Sequence, residues 1–228
     1  MALTTYAELQ TAVITELDRT GNTEFTNAVP DFVNRCEAKI NRKLRLREME
    51  TLAYATYAAG TVALADRLLA LPTGYVEMIM PLRAKVATAD DTSYTELKYV
   101  DPGKISMYYG TAGGAGQLAY TLRDQIEFSA PVGVDHRIMM HFIKGWDLAT
   151  STTNWLLTNY PDAYLYGTLM EASVFIVDDQ RAAGWLALFQ SAMDDLQELS
   201  ERGRDDAELD VSEISGMSNR GSFNIITG

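Results

Sequence analysis

The chain contains 228 residues, of which 47% are hydrophobic and 22% are charged; this balance excludes an intrinsically disordered protein and predicts a folded core. With 31 acidic and 19 basic residues the formal net charge is -12, which disfavours a protein that binds nucleic acid through its phosphates. No segment approaches the roughly 20 apolar residues of a membrane span, and the N-terminal residues lack a secretory pattern, so a soluble protein is expected.

Two amphipathic helices are predicted at the start of the chain. Apolar residues recur at steps of three and four through residues 5–18, which is the spacing of a helix that buries one face. A second helix is predicted to begin near Asn27, with Pro30 in its first turn and Cys36 on its apolar stripe. Because Cys36 is the only cysteine, we expect no internal disulfide and an inert thiol in the core.

The helical period disappears in the middle of the chain. Short segments rich in β-branched and aromatic residues, separated by turn formers, predict a small antiparallel β module there. The predicted strands are 51–57, 61–64, 75–80, 82–87, 94–99, 117–122, 125–129 and 137–144. One short helix is predicted over residues 105–109, followed by a glycine-rich loop at 110–116.

Two further helices are predicted after the β module. Pro161 and Asp162 open the first of them, which is mostly apolar. Asp178 or Asp179 caps the second, whose apolar pattern continues to about Arg202. Two helices therefore precede the β segment and two follow it.

These elements predict an α+β fold, in which a four-helix bundle carries an inserted small antiparallel β module. The bundle is expected to be discontinuous, built from residues 1–50 and 155–203, because helices from both ends need one another's apolar faces. The insertion spans residues 51–154. Residues 204–228 are predicted to form an extended C-terminal arm, because their acidic and small side chains supply no core.

The sequence contains no convergent set of catalytic side chains. His136 and His141 lie five residues apart on one predicted strand, where alternation turns them to opposite faces. The glycine-rich run at 110–116 lacks the lysine and the helix that follow a phosphate-binding loop. We therefore expect no enzyme, no cofactor and no metal site. The alternative is a small hydrolase or ligand-binding protein that uses the β module, which a deep polar pocket with buried titratable groups would favour.

Charged residues of opposite sign are segregated along the chain. The second helix carries a basic face, and residues 194–213 contain nine acidic side chains. Such blocks suit a ring in which the basic face of one subunit meets the acidic face of its neighbour. The predicted subunit contacts are Arg35, Lys39, Arg42, Lys43, Asp194, Asp195, Glu198 and Glu201. A solvated helix face, or a nucleic-acid contact by the basic residues, is the alternative interpretation.

Four blocks of the sequence resemble head-to-tail adaptor proteins of short-tailed bacteriophages. The first is Thr-Tyr-Ala-Glu-Leu-Gln at 5–10, and the second is the segment 29–50, which begins Val-Pro-Asp-Phe-Val-Asn. The third is Leu-Pro-Thr-Gly-Tyr-Val-Glu-Met at 71–78, and the fourth is Asn-Tyr-Pro-Asp-Ala-Tyr-Leu-Tyr-Gly at 159–167. The resemblance covers roughly residues 4–202, with the blocks in the order of the family.

The resemblance implies a noncatalytic protein of the virion neck, which passes through the host cytoplasm before assembly. Proteins of this family form a ring of twelve copies beneath the portal and continue the channel through which the genome leaves. The implied partners are the portal protein, tail nozzle or tail fibre proteins, and further copies of the same chain. Genome DNA would pass through without specific binding, and no membrane is involved.

The resemblance also implies that the C-terminal arm reaches the portal. The candidate anchoring residues of this arm are apolar: Val211, Ile214, Met217, Phe223, Ile225 and Ile226. Another neck or tail protein, such as a nozzle subunit or a head-completion factor, is the alternative within the same setting. Direct binding to portal particles would distinguish an adaptor from a nozzle.

Overall fold

A computed structural model describes residues 3–60, 64–110 and 118–217, with the backbone alone for Leu64, for Asp179 and for 203–217. The chain divides into two compact units. One contains Met1–Arg47 together with Asp147–Gly228 and is helical, and the other contains Glu48–Trp146 and is built from strands.

Six helices are described, and all of them lie in the helical unit. They are α1 (Tyr6–Glu16), α2 (Thr23–Lys43), α3 (Leu148–Ser151), α4 (Trp155–Asn159), α5 (Pro161–Phe175) and α6 (Asp179–Met217). The prediction of a mixed α+β fold is confirmed. Helix α5 contacts α1, α2, α4 and α6, so it is central in this unit.

The start of α2 differs from the prediction. The side-chain oxygen of Asn22 accepts a hydrogen bond from the backbone N–H of Phe25 at 3.0 Å, and this cap begins the helix at Thr23. Pro30 therefore lies inside α2 and not in its first turn. Burial of Phe25 and Val29 in the turns before the proline offsets the hydrogen bond that Pro30 cannot donate.

The end of α6 also differs from the prediction. The helix continues past Arg202 to Met217, so the prediction of an extended arm is wrong for the backbone of residues 204–217. Gly203 lowers helix stability by only about 1 kcal/mol relative to alanine, which is too little to end the helix alone. The ion pair of Arg202 with Glu198, at 2.5 Å and four residues apart, supports the helix just before this glycine.

Gly167 lets three helices approach closely in the helical core. A Cβ atom at this position would lie 2.4 Å from the Sγ atom of Cys36 on α2 and 2.8 Å from the ring of Phe189 on α6. Both distances are shorter than ordinary van der Waals contact, so only glycine fits on this face of α5. The packing of α5 against both partners therefore depends on a missing side chain.

The β unit contains nine described strands. They are β1 (Glu50–Tyr57), β2 (Leu68–Ala70), β3 (Tyr75–Met78), β4 (Arg83–Val86), β5 (Thr95–Glu96), β6 (Lys98–Tyr99), β7 (Ala119–Leu122), β8 (Gln125–Phe128) and β9 (His136–Lys144). One sheet has the order β1-β9-β4-β5, with β3 also paired to β9, and the other has the order β2-β8-β7-β6. All pairs are antiparallel except the parallel pair β6–β7.

The two sheets of this unit enclose one apolar core, in which Tyr57, Leu82, Phe128, Ile138 and Phe142 are buried. Most strands occur where they were predicted, and three differences concern short segments. Strand β2 was not predicted, the predicted strand 94–99 is two strands, and the predicted strand 61–64 lies mostly outside the described residues. The predicted short helix at 105–109 is a 3-10 helix at Ile105–Tyr108.

Candidate assembly surfaces

The basic face of α2 is the first candidate assembly surface. Its apolar stripe is buried, so Arg35, Arg42 and Lys43 are left on the exposed side of the helix. Arg42 and Lys43 lie in the last turn, where positive charge also complements the helix dipole. Their side chains make no ion pair in the described part of the chain, which leaves them available to a neighbouring molecule.

Two of the predicted contacts on α2 have partners within the chain. The Lys39 ammonium lies 2.5 Å from the carboxylate of Glu171 on α5, and this ion pair joins the two helices. The guanidinium of Arg35 lies 5.9 Å from the centre of the Phe32 ring. Lys39 therefore contributes to the fold of the helical unit, besides any role on its surface.

The acidic face of α6 is the second candidate surface. Asp194, Asp195, Glu198 and Glu201 are all exposed, because Ala192, Met193 and Leu196 turn the other side of the helix into the core. The hydroxyl of Ser200 donates a hydrogen bond of 2.9 Å to the carbonyl oxygen of Arg45. This contact places Ser200, which lies between Glu198 and Glu201 on α6, beside the segment that follows α2.

A groove beside the acidic face brings together residues that are distant in sequence. It has a volume of about 370 Å³ and is lined by Tyr160, Asp162, Ala192, Asp195, Leu196, Glu198, Leu199 and Arg202. Asp162, which was predicted only as an opening residue of α5, joins two of the predicted acidic contacts here. Sequence reasoning missed this contribution because it depends on the packing of α5 against α6.

A buried carboxylate holds the helical unit together beneath these surfaces. Glu37 is only 5% exposed and accepts hydrogen bonds from the Tyr164 hydroxyl at 2.7 Å and from the backbone N–H of Leu148 at 3.1 Å. The Asn154 side-chain amide donates to the same Tyr164 hydroxyl at 2.7 Å. Burial raises the pKa of Glu37, although its hydrogen bonds act in the opposite direction.

This network fixes the chain where it returns from the β unit. Leu148 is the first residue of α3, whose N-cap Asp147 begins the returning segment. Tyr164 lies on α5, so Glu37 links three segments of the helical unit. The network satisfies buried polar groups, which indicates a structural role.

A family model decides the class of protein to which these surfaces belong. The model described as SU10 adaptor protein matches residues 4–211, which is most of the chain. The chain belongs to the SU10 adaptor protein family. This membership confirms the resemblance to bacteriophage head-to-tail adaptors and makes the chain a structural adaptor protein of a phage. A search of curated proteins finds no match.

The predicted arm of this SU10 adaptor protein lies partly on α6. The backbone of Val211, Ile214 and Met217 is helical, and their side chains lie outside the described residues. Phe223, Ile225 and Ile226 also lie outside them. Contact of these six residues with a portal stays a prediction.

The histidines and the cysteine of the adaptor lie beside partners or in the core of the chain. Nδ1 of His136 lies 2.7 Å from the carbonyl oxygen of Val134, and Nε2 of His141 lies 3.7 Å from the Glu50 carboxylate. Burial raises the pKa of the Cys36 thiol to about 12. Within the described residues no group of three metal-ligating side chains occurs, and no helix is long and apolar enough to cross a membrane.

Proposed function

We propose that this SU10 adaptor protein is a noncatalytic head-to-tail adaptor of a phage neck. Twelve copies form a ring that joins the portal to the tail and continues the DNA channel. The observation that carries this proposal is the family match over residues 4–211, which spans both the helical and the β units. The exposure of Arg42, Lys43, Asp195 and Glu198 supports it further, because these side chains are available to neighbouring molecules.

The contact between neighbouring subunits is proposed to join the two charged faces. Arg42 and Lys43 are exposed on one helix, and Asp195 and Glu198 line an open groove on another. A cyclic ring needs two different faces on each subunit, and opposite charge makes such faces complementary and fixes their register. The aliphatic stems of Arg42 and Lys43 would pack against the apolar floor of the groove at Leu196 and Leu199.

The portal contact is proposed for the C-terminal end of the chain. Val211, Ile214 and Met217 are spaced at three residues on the helical end of α6, so they lie near one another around the helix. Apolar residues at this spacing are typical of helices that bind in a groove of a partner. Phe223, Ile225 and Ile226 extend the apolar sequence beyond α6. Twelve such segments bind together, so the joint is far stronger than a single contact.

The β module, residues 51–154, is proposed as an insertion that faces the tail components, while the bundle from residues 1–50 and 155–203 packs beside its neighbours. The acidic balance of the chain, with a net charge of -12, suits a channel wall because it repels the phosphates of moving DNA. Such a wall binds no specific base sequence. The proposed partners are accordingly the portal, the tail nozzle or fibres, and other copies of the chain.

The experiment mixes the purified chain with portal particles and counts rings at the portal by negative-stain electron microscopy. The variant Arg42→Glu/Lys43→Glu, and separately Asp195→Lys/Glu198→Lys, is expected to lower ring occupancy at least about tenfold, since like charges then face one another. The two pairs combined in one chain are expected to restore rings. The matched control is Arg19→Glu, a charge reversal of an exposed residue outside both faces. Unaltered rings in the two single-face variants would reject the charge contact, and a chain that never binds portal particles would reject the adaptor role.

A further inference from the structure

One side of α6 carries an uncharged stripe that is exposed along its whole length. Gly184, Leu188 and Ser191 recur at steps of four and three, and Asp195 continues the same side of the helix. All four residues are exposed, and Leu188 is 44% exposed. Residues 182–193 contain no charged side chain. The α6 stripe, Gly184, Leu188 and Ser191, therefore leads directly into the acidic face.

Helix α2 carries a stripe of the same spacing on its exposed side. Asp31, Asn34 and Ala38 follow one another at steps of three and four, and Arg42 lies four residues further along this side. All four residues are exposed. The first three side chains are short, so a second helix can approach the α2 stripe, Asp31, Asn34 and Ala38, closely.

Helices α2 and α6 run in the same direction within one chain. The ring of Phe25, near the start of α2, lies 6.3 Å from the ring of Phe175, where α5 ends, and α6 begins shortly after this residue. At the other end, Ser200 of α6 contacts Arg45, just after α2. Rotation about the axis of a ring preserves the direction of a helix that lies along this axis. In such a ring, α2 of one copy and α6 of the next are parallel.

Charge favours the parallel alignment over the reverse one. The charged residues of α2 other than the buried Glu37 are, in chain order, Glu24, Asp31, Arg35, Lys39, Arg42 and Lys43, and those of residues 178–202 are Asp178, Asp179, Arg181, Asp194, Asp195, Glu198, Glu201 and Arg202. Arg181 pairs with Asp178 and Arg202 pairs with Glu198, so the start of α6 is mixed in charge and residues 194–201 are acidic. A parallel α2 brings its basic end to these acids, whereas a reversed α2 brings Glu24 and Asp31 to them.

The chemistry of the side chains selects one register of the two parallel stripes. Because both stripes follow steps of three and four, they can be aligned at intervals of seven residues. Alignment of Leu188 with Asp31 buries a carboxylate against an apolar side chain, which costs free energy. Alignment of Leu188 with Ala38, one interval along, places leucine over the smallest side chain of the α2 stripe. The same register brings Arg42 within one helical turn of Asp195.

We propose that α2 of a neighbouring copy lies parallel to α6 along the α6 stripe, with Ala38 opposite Leu188 and Asp31 opposite Arg181. The proposal rests on the proposed ring, and it extends the charge contact of that ring along both helices. The segment beyond α6 of the same chain is a poor alternative occupant. Along the helix Met217 lies about 44 Å from Leu188, and the eleven residues that follow Met217 span at most about 40 Å when fully extended.

Disulfide cross-linking of rings assembled on portal particles tests the register. Under a mild oxidant, Ala38→Cys/Leu188→Cys is expected to form disulfides between copies at least about tenfold faster than the matched variant Asp31→Cys/Leu188→Cys. A shift of seven residues moves the cysteine about 10 Å along the helix, beyond the reach of a disulfide. Mass spectrometry of rings mixed from ¹⁵N-labelled and unlabelled chains distinguishes bonds between copies from bonds within one chain. Equal rates, faster cross-linking by the control, or bonds only within one chain overturn the proposal.

A second pair of variants tests the close approach of the helices without a cysteine. In the described part of the chain, no packed atom lies within 4 Å of the position of a Cβ atom at Gly184. Gly184→Ala and Gly184→Tyr are therefore both expected to fold as free chains, which circular dichroism checks. In the proposed register Gly184 lies opposite Asn34, so Gly184→Tyr is expected to lower ring occupancy on portal particles at least about tenfold relative to Gly184→Ala. Equal occupancy overturns this inference alone, whereas a wild-type chain that forms no ring overturns the proposed function as well.

Discussion

The hydrogen-bond network around Glu37 gives the sharpest prediction for stability. The variant Tyr164→Phe keeps the shape of a fully buried side chain and removes its hydroxyl. That hydroxyl donates to Glu37 at 2.7 Å and accepts from Asn154 at 2.7 Å. A hydrogen bond to a charged group contributes about 1.5–3 kcal/mol and a neutral one about 1 kcal/mol. We expect the free energy of unfolding to fall by about 3 kcal/mol.

The assay is equilibrium unfolding in urea, followed by the fluorescence of the three tryptophans. The matched control is Tyr160→Phe, because the Tyr160 hydroxyl makes no hydrogen bond among the described residues, and its effect is expected within about 0.5 kcal/mol. The variant Glu37→Gln completes a double-mutant cycle with Tyr164→Phe and is expected to reveal a coupling of at least about 1 kcal/mol. A loss below about 1 kcal/mol for Tyr164→Phe would refute the reasoning. It would show that the hydrogen bond from Tyr164 to the buried carboxylate contributes little to the free energy of unfolding.

The pH dependence follows from the same carboxylate. Burial raises the pKa of Glu37 in the folded chain above its ordinary value, so the protonated form favours folding. This contribution is complete below the ordinary pKa of glutamate and is lost as the pH rises through the raised, folded pKa. Above that range the carboxylate is ionised, and the hydrogen bond from Tyr164 then stabilises it most strongly. The difference between wild type and Tyr164→Phe is therefore expected to shrink as the pH falls through this window, and a constant difference would contradict the assignment.

Three further predictions concern α5, α2 and α6. Gly167→Ala is expected to lower the free energy of unfolding by about 1–3 kcal/mol through its clash with Cys36 and Phe189, measured by thermal unfolding. With its pKa raised to about 12, the Cys36 thiol is expected to resist a disulfide reagent at pH 8 until urea is added. Ser212→Pro is expected to abolish portal binding while Ser212→Ala preserves it, if the end of α6 docks as a helix; equal binding by the two would contradict helical docking.

The sequence correctly predicted the longer elements, in which buried apolar residues recur at a regular spacing. The steps of three and four in α1, α2, α5 and the first half of α6 reflect apolar stripes that are buried in the structure. The alternation of β9, with His136 buried and Arg137 exposed, was predictable for the same reason. The spacing of apolar residues predicts such elements, and it can be recognised without knowing which other elements they pack against.

Short elements were missed because capping and tertiary contacts define them. Helices α3 and α4 have four and five residues, too few for a period, and each begins at a side-chain cap, Asp147 and Asn154. Those two caps were the available signal. Helix α2 was predicted to begin near Asn27, but Asn22 caps it and it begins at Thr23. The burial of Phe25 in this first turn depends on tertiary contacts, which the sequence pattern does not show.

The sequence predicted which charged residues lie on the candidate surfaces, but not which residues these side chains contact. Exposure of Arg42, Lys43, Asp194 and Asp195 follows from the apolar stripes on the opposite sides of their helices. The pairing of Lys39 with Glu171 required knowledge that α2 packs on α5. Glu37 lies on the same helix as these cations, next to its apolar stripe. Its burial could not be predicted, because it depends on the donors that α3 and α5 bring to this side of the helix.

The polar groups that this fold leaves unsatisfied are informative about its assembly. In the helical unit the buried carboxylate of Glu37 finds two donors within the same chain. On β1 the outward groups of Leu52 and Tyr54 face no described partner, beside apolar side chains that a free monomer would gain by burying.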